Sequence, residues 1–331
     1  MTEESTSDVP TTAAAELIDT SADSLLCRHY SDFLLLPICT TLFLFGVTGN
    51  LMTLSGLIKD AKKSASFYLL CATVIIDILL LLFIFFVISV VRFTKMAGEL
   101  FWSTVILYVG YFYIEGIIGA LQMIRVWLTI WVSVQRFVGI QFPHSAKAWG
   151  RIWVAKVKIG VTCSVCFLYQ IPNVLRMGMR VQNGRMFFFN ILENDISLGF
   201  SAVSNILRYT IPILVMVVFS VLLIVGLKKM KSSAKITQVQ VTMVTVVLIV
   251  IEILCQLLIP LRTMISALHS DDMTCGSFLF FYDPFIPIIL TLSSASDVII
   301  YALILPRFRQ RLRGLFGGTR VEPSANSGPT P

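Results

Sequence analysis

Residues 66–91 read SFYLLCATVIIDILLLLFIFFVISVV, an apolar run in which Asp77 is the only charged residue. An α-helix needs about 20 apolar residues to cross a hydrocarbon core about 30 Å thick, so this run is long enough to span a bilayer. It shows no strand-like alternation of apolar and polar residues, so its backbone is read as helical. The whole chain agrees with this reading. Of its 331 residues 56% are hydrophobic and only 14% are charged, against about 25% charged in an ordinary soluble domain.

Working outward, similar stretches occupy Phe33–Ile58, Ser66–Val91, Thr104–Phe137, Val154–Val174, Gly199–Leu227, Thr237–Ala267 and Phe278–Leu305. No repeat of the kind that builds solenoids is evident. The expected fold is an all-α bundle of seven transmembrane helices forming one domain, residues 33–305. Residues 1–32 are expected to be a disordered extracellular tail. The polar, acidic first segment (Glu3, Glu4, Asp8, Glu16, Asp19, Asp23) lacks the basic start and apolar centre of a cleaved signal peptide.

Basic residues set the orientation, because cytoplasmic loops carry the lysine and arginine excess. One side collects Lys59, Lys62, Lys63, Arg136, Lys147, Arg151, Lys156, Lys158, Lys228, Lys229, Lys231, Lys235, Arg307, Arg309, Arg311, Arg313 and Arg320 against only Asp60 and Glu322. An odd number of crossings then puts the N-terminus outside and the C-terminus inside. The net charge of +7 reflects this asymmetry and does not indicate nucleic-acid binding. Residues 306–316 (PRFRQRLRGLF) read as a short amphipathic helix on the inner membrane surface, able to meet anionic lipid, followed by a disordered cytoplasmic tail, 317–331.

Arg136 falls at the cytoplasmic mouth of the third stretch, within Gln135-Arg136-Phe137. It is either an arginine that marks the membrane edge or a functional one. Its neighbourhood resembles the Asp/Glu-Arg-Tyr motif of rhodopsin-like G-protein-coupled receptors. Gly49-Asn50 in the first helix is similar to that family's Gly-Asn, and Leu69–Asp77 to its Leu…Ala…Asp pattern. Asp297-Val298-Ile299-Ile300-Tyr301 resembles its Asn/Asp-Pro-x-x-Tyr, with Phe308 at the family's spacing, and Pro212 and Pro260 fall where its helices often bend. The likeness runs from about Phe33 to Leu315. It implies a plasma-membrane receptor with a heterotrimeric G protein as partner, engaged through Arg136, Gln135 and Tyr301.

The departures are specific. Gln135 replaces the acidic neighbour of the arginine, Val298 replaces a proline, and the sixth helix lacks the family's tryptophan before Pro260. Tyr111 stands where the third-helix cysteine belongs, so the usual disulfide is missing. This pattern resembles nematode serpentine receptors and invertebrate receptors for FMRFamide-like peptides. Of the seven cysteines, only Cys27 and Cys275 fall outside the expected helices, and both on the outer side. The first and seventh helices are neighbours in the receptor fold, so a Cys27–Cys275 disulfide is expected.

Buried charge supplies a candidate mechanism. Arg125 precedes Arg136 by eleven residues, which returns it to nearly the same helical face about 16 Å away, near mid-membrane. An unpaired cation there is costly, and Asp77 and Asp297 lie at similar depth. A core network of Asn50, Asp77, Arg125 and Asp297 is therefore expected, as an ion pair or as a functional centre. By the resemblance, the guanidinium takes the place of a sodium ion. Glu115, Glu252 and Asp283 are candidate ligand-pocket acids, suited to a cationic group of a peptide. Alternatively, Glu252 pairs with Arg262 or Arg208.

Enzyme readings lack support. There is no Gly-x-Gly-Asp beside the intramembrane aspartates, no phosphate loop and no His-Glu-x-x-His, and Cys163-x-x-Cys166 sits inside an apolar helix and reads as structural thiols. No catalytic residue, metal or cofactor is expected. The resemblance implies a neuropeptide receptor. A chemosensory receptor for a small odorant or pheromone is the alternative, and a transporter is the competitor from another class.

Overall fold

The computed structural model describes residues 11–62, 64–96, 114–175, 177–182, 185–190, 199, 202–229, 236–268, 277–304 and 309. In chain order the helices are α1 (Thr11–Ala61), α2 (Ala65–Met96), α3 (Glu115–Gln141), α4 (Pro143–Trp149), α5 (Ile152–Leu175), α6 (Ile211–Lys229), α7 (Ile236–Leu268), α8 (Phe278–Tyr282) and α9 (Phe285–Ile304). Among the described residues seven segments are long and apolar enough to cross a membrane, which makes the fold a seven-helix, multi-pass bundle. α4 lies outside the spans, and α8 and α9 together form the seventh.

Burial shows which helix is the axis. In α3, 72% of the apolar window is buried, against 17% in α5. α3 touches α2, α5, α6 and α7, while α1 packs on α2 and α9 and so closes the ring. Its sequence explains the placement. Gln122, Arg125, Thr129 and Ser133 recur at helical spacing and are all buried, which puts a polar stripe on the interior face. The outward faces of the peripheral helices are apolar and exposed, as at Val161, Val165 and Leu168 on α5 and at Leu254, Leu257 and Leu261 on α7. Lipid is the solvent for those faces. Several hydroxyls inside the bundle bond to the helix itself, as Thr53 does to the Gly49 carbonyl and Ser133 to that of Thr129, which satisfies those groups in the apolar interior.

Two local features differ from the sequence expectation. α1 begins at Thr11, so residues 11–32, expected within a disordered tail, carry helical backbone. Ala13, Ala14, Ala15, Glu16 and Leu17 are strong helix formers, a local preference that the polar, acidic composition of the segment does not reveal. A two-stranded antiparallel hairpin, β1 (Met177–Gln182) and β2 (Arg185–Asn190), also follows α5, with Gln182 opposite Arg185. The residues between the strands are Asn183 and Gly184, the pair that two-residue hairpin loops favour.

Prolines shape the spans as their chemistry requires. Phe142 leaves the helical region just before Pro143 and so separates α3 from α4. A π-helical turn, Ile206–Thr210, precedes Pro212 and accommodates the backbone bond that Pro212 cannot make, with the Ile211 N–H donating to the Ile206 carbonyl. The seventh span breaks at Asp283–Pro284, where the sequence reading had one continuous helix.

α1 and α9 meet through a glycine. A Cβ on Gly49 would lie 2.6 Å from Cγ1 and 2.9 Å from Cβ of Val298, a stiff β-branched residue that cannot rotate clear. Gly49→Ala is accordingly expected to destabilise the bundle by about 1–3 kcal/mol through overpacking. Thermal unfolding of the purified variant checks this; an unchanged melting temperature would contradict the close packing.

Candidate functional site in the bundle core

Arg125 gathers acids from three other helices. Its Nε lies 2.6 Å from Oδ1 of Asp77 on α2, its Nη1 2.8 Å from Oε2 of Glu252 on α7, and its Nη2 3.6 Å from Oδ1 of Asp297 on α9. Nη1 also donates to Oγ of Ser293 at 2.8 Å, and that hydroxyl donates onward to Glu252 at 3.2 Å. All four charged residues are at most 3% exposed. One guanidinium thus faces three carboxylates, and only arginine offers five donors in a fixed fork that reaches three partners at once.

From Glu252 the polar contacts continue outward. Gln256 Nε2 donates to Glu252 Oε1 at 2.8 Å, Gln122 Nε2 to Gln256 Oε1 at 3.1 Å, and Arg208 Nη2 to Gln122 Oε1 at 3.1 Å. The chain ties the entry of the fifth span to α3, α7 and α9. Beside the ion cluster lies a cavity of about 10 Å³, bordered by Arg125, Thr129, Glu252 and Asp297. That is about the space one water needs.

Asp77, Arg125 and Asp297 come together as expected from depth alone. Asn50 does not join them; its Nδ2 donates 3.0 Å to the Ser294 carbonyl and links α1 to α9. The pairing of Glu252 with Arg262 or Arg208 is overturned, since Arg125 takes Glu252, and Arg262 holds Asp283 with two bonds of 2.7 and 3.0 Å. Helix rotation decides this: Glu252 is 2% exposed and faces the bundle axis. Both Glu252 and Asp283 therefore already hold cations of the protein itself. The side chains of Glu115 and Cys27, Cys275, Tyr111, and residues 306–316 and 317–331 apart from Arg309, lie outside the described residues.

Comparison with known proteins finds no matching family model and no matching curated protein.

At the opposite end of α3, Arg136 is half-buried and has no ion-pair partner among the described residues, and its Nε is buried without a hydrogen bond. Gln135 beside it is 8% exposed, with its Oε1 also unbonded. Tyr301 is fully buried, with no partner for its hydroxyl. Sequence reading missed one feature here. Lys158 Nζ sits 4.9 Å from the Trp131 ring and 4.3 Å from that of Trp149, fastening α4 to α3 and α5 through two cation–π contacts. The only sequence signal was a lysine inside an apolar span.

Proposed function

We propose that this chain is a G-protein-coupled receptor of the plasma membrane, transmitting the binding of an extracellular peptide or small molecule to a cytoplasmic heterotrimeric G protein. The observation that carries the reading is the construction of α3. The middle of the axial helix holds Arg125, bound to acids on α2, α7 and α9, and its C-terminal part holds Arg136 with no acid against it among the described residues. A rearrangement of α7 that loosens Glu252 from Arg125 is transmitted along this rigid axis to the surface around Arg136. The order of sequence motifs along the chain supports the same reading.

A transporter is the second reading, favoured by the excess of intramembrane acids beside a water-sized cavity. Reconstitution separates the two. Purified protein in vesicles with a heterotrimeric G protein, challenged with an amidated-peptide library and a panel of small volatile molecules, is expected to drive ligand-dependent nucleotide exchange. Ligand-dependent flux across the vesicle without exchange would decide for the transporter.

A further inference from the structure

Glu252 and Asp283, two of the acids expected to receive a cationic ligand, hold cations of the protein itself, but a set of donors lacks acceptors. Arg208, on the π-helical turn near the start of the fifth span, has one described hydrogen-bond partner, the neutral Gln122 oxygen, and lies 5.2 Å from the Tyr209 ring. Its Nε is buried without a hydrogen bond, and no carboxylate among the described residues pairs with it. Gln170 on α5 is 5% exposed; Asn173 donates to its Oε1 at 3.3 Å, and its Nε2 is buried and unbonded. Both donors converge on Gly119 of α3. A Cβ there would lie 2.8 Å from Arg208 Nη2 and 3.1 Å from Gln170 Nε2, so the glycine is what lets the two side chains reach this point. Gly119 precedes Arg125 by six residues, about 9 Å along the axis toward the hairpin end of the bundle.

A guanidinium and an amide N–H group, held close in an apolar bundle with no carboxylate of the described residues against them, are suited to receive an anion. Buried donors without acceptors carry a desolvation penalty that a carboxylate relieves, with charge-assisted bonds stronger than those to a neutral acceptor. We propose that Arg208 and Gln170 form an anchoring subsite for a carboxylate group of the ligand, over Gly119. This names the ligand chemistry of the proposed receptor and rests on that reading for its consequence. The consequence follows from the hydrogen bonds already described: Arg208, Gln122 and Gln256 donate in one direction and end on Glu252, the acid that bonds Arg125. A carboxylate that draws Arg208 away frees the Gln122 oxygen, and the loss passes through Gln256 to the ion cluster and to α7.

The test uses the full chain in neutral detergent and reads thermal unfolding at fixed ionic strength and neutral pH. The probes are hexanoate, hexanamide and hexylamine, which share an apolar tail and differ in the head group. Hexanoate is expected to raise the melting temperature saturably, hexanamide to bind about tenfold more weakly or worse, and hexylamine to give no saturable effect. Arg208→Gln keeps a donor for Gln122 and is expected to lose the preference for hexanoate over hexanamide. Gln170→Ala and Gly119→Ala report on the same preference should that variant fail to fold. Equal responses to the three probes, or a preference that survives these substitutions, overturns the subsite. A blocked diphenylalanine with a free C-terminus, run beside its amide, assigns the source: tighter binding than hexanoate marks a peptide carboxylate, weaker binding a small organic acid. Carboxylate binding without nucleotide exchange in vesicles keeps the subsite and removes the receptor reading. Exchange driven equally in Arg208→Gln by an amine or neutral ligand keeps the receptor and removes the subsite.

Discussion

Arg125→Leu is expected to be the most damaging single substitution in the bundle, costing about 3–5 kcal/mol of folded stability. The leucine fills much of the volume but offers no donor to Asp77, Glu252 or Asp297, and these three carboxylates then lie in an apolar core without a counter-charge. Desolvation sets the scale, because breaking a buried pair from one side leaves the other side uncompensated. The reverse substitutions are not symmetric. Asp297 makes the longest of the three contacts, 3.6 Å, and one guanidinium serves three acids, so Asp297→Asn removes negative charge that is only partly balanced. It is expected to be near neutral, whereas Asp77→Asn gives up the 2.6 Å contact and lies between the two. Thermal unfolding of the three purified variants, with and without sodium, gives the ranking. A monovalent cation is expected to recover part of the loss in Arg125→Leu and to do little for the parent. An Arg125→Leu variant that melts with the parent would show that the cluster holds nothing together.

The difference between what could and could not be read from the chain follows from what periodicity carries. Span existence depends on length and apolarity, which the string of residues contains, so seven crossings were legible. Depth is equally legible, since rise per residue is fixed, and that is why Asp77, Arg125 and Asp297 were brought together. Rotation about each helix axis is a property of packing against neighbours, and only α3 carries a polar stripe strong enough to fix its own. Glu252 shows the limit: the sequence does not say that its face of α7 meets Arg125, and the two arginines expected to pair with it, Arg208 and Arg262, bond Gln122 and Asp283 instead. The subsite over Gly119 was invisible for the same reason, because it is assembled by three helices that each contribute one ordinary residue. The hairpin after α5 is legible in Asn183-Gly184, a signal that apolar length alone does not register.

On the proposed receptor function, Arg136→Ala is expected to lower ligand-driven nucleotide exchange by about tenfold to a hundredfold or more, while stability and surface expression stay near those of the parent. The two halves of that expectation have different causes. Among the described residues Arg136 has no acidic partner, and its Nε bonds to nothing, so no ion pair of the bundle is lost with it. What is lost is a charged donor that a cytoplasmic partner can engage, and one charge-assisted hydrogen bond removed from an interface corresponds to about that change in affinity. Arg136→Lys keeps the charge without the planar fork and is expected to fall between the two. Gln135 gives the complementary test. Its Oε1 is buried and unbonded, and Gln135→Glu adds a negative charge next to the arginine in the chain. That variant is expected to exchange less in the unliganded state and to need more ligand for the same response. Exchange measured on vesicles containing each variant and a fixed amount of G protein reads all three. An Arg136→Ala receptor with the parent's exchange rate would end the case for this arginine, and a Gln135→Glu variant with unchanged basal exchange would show that the missing acid does not set its freedom.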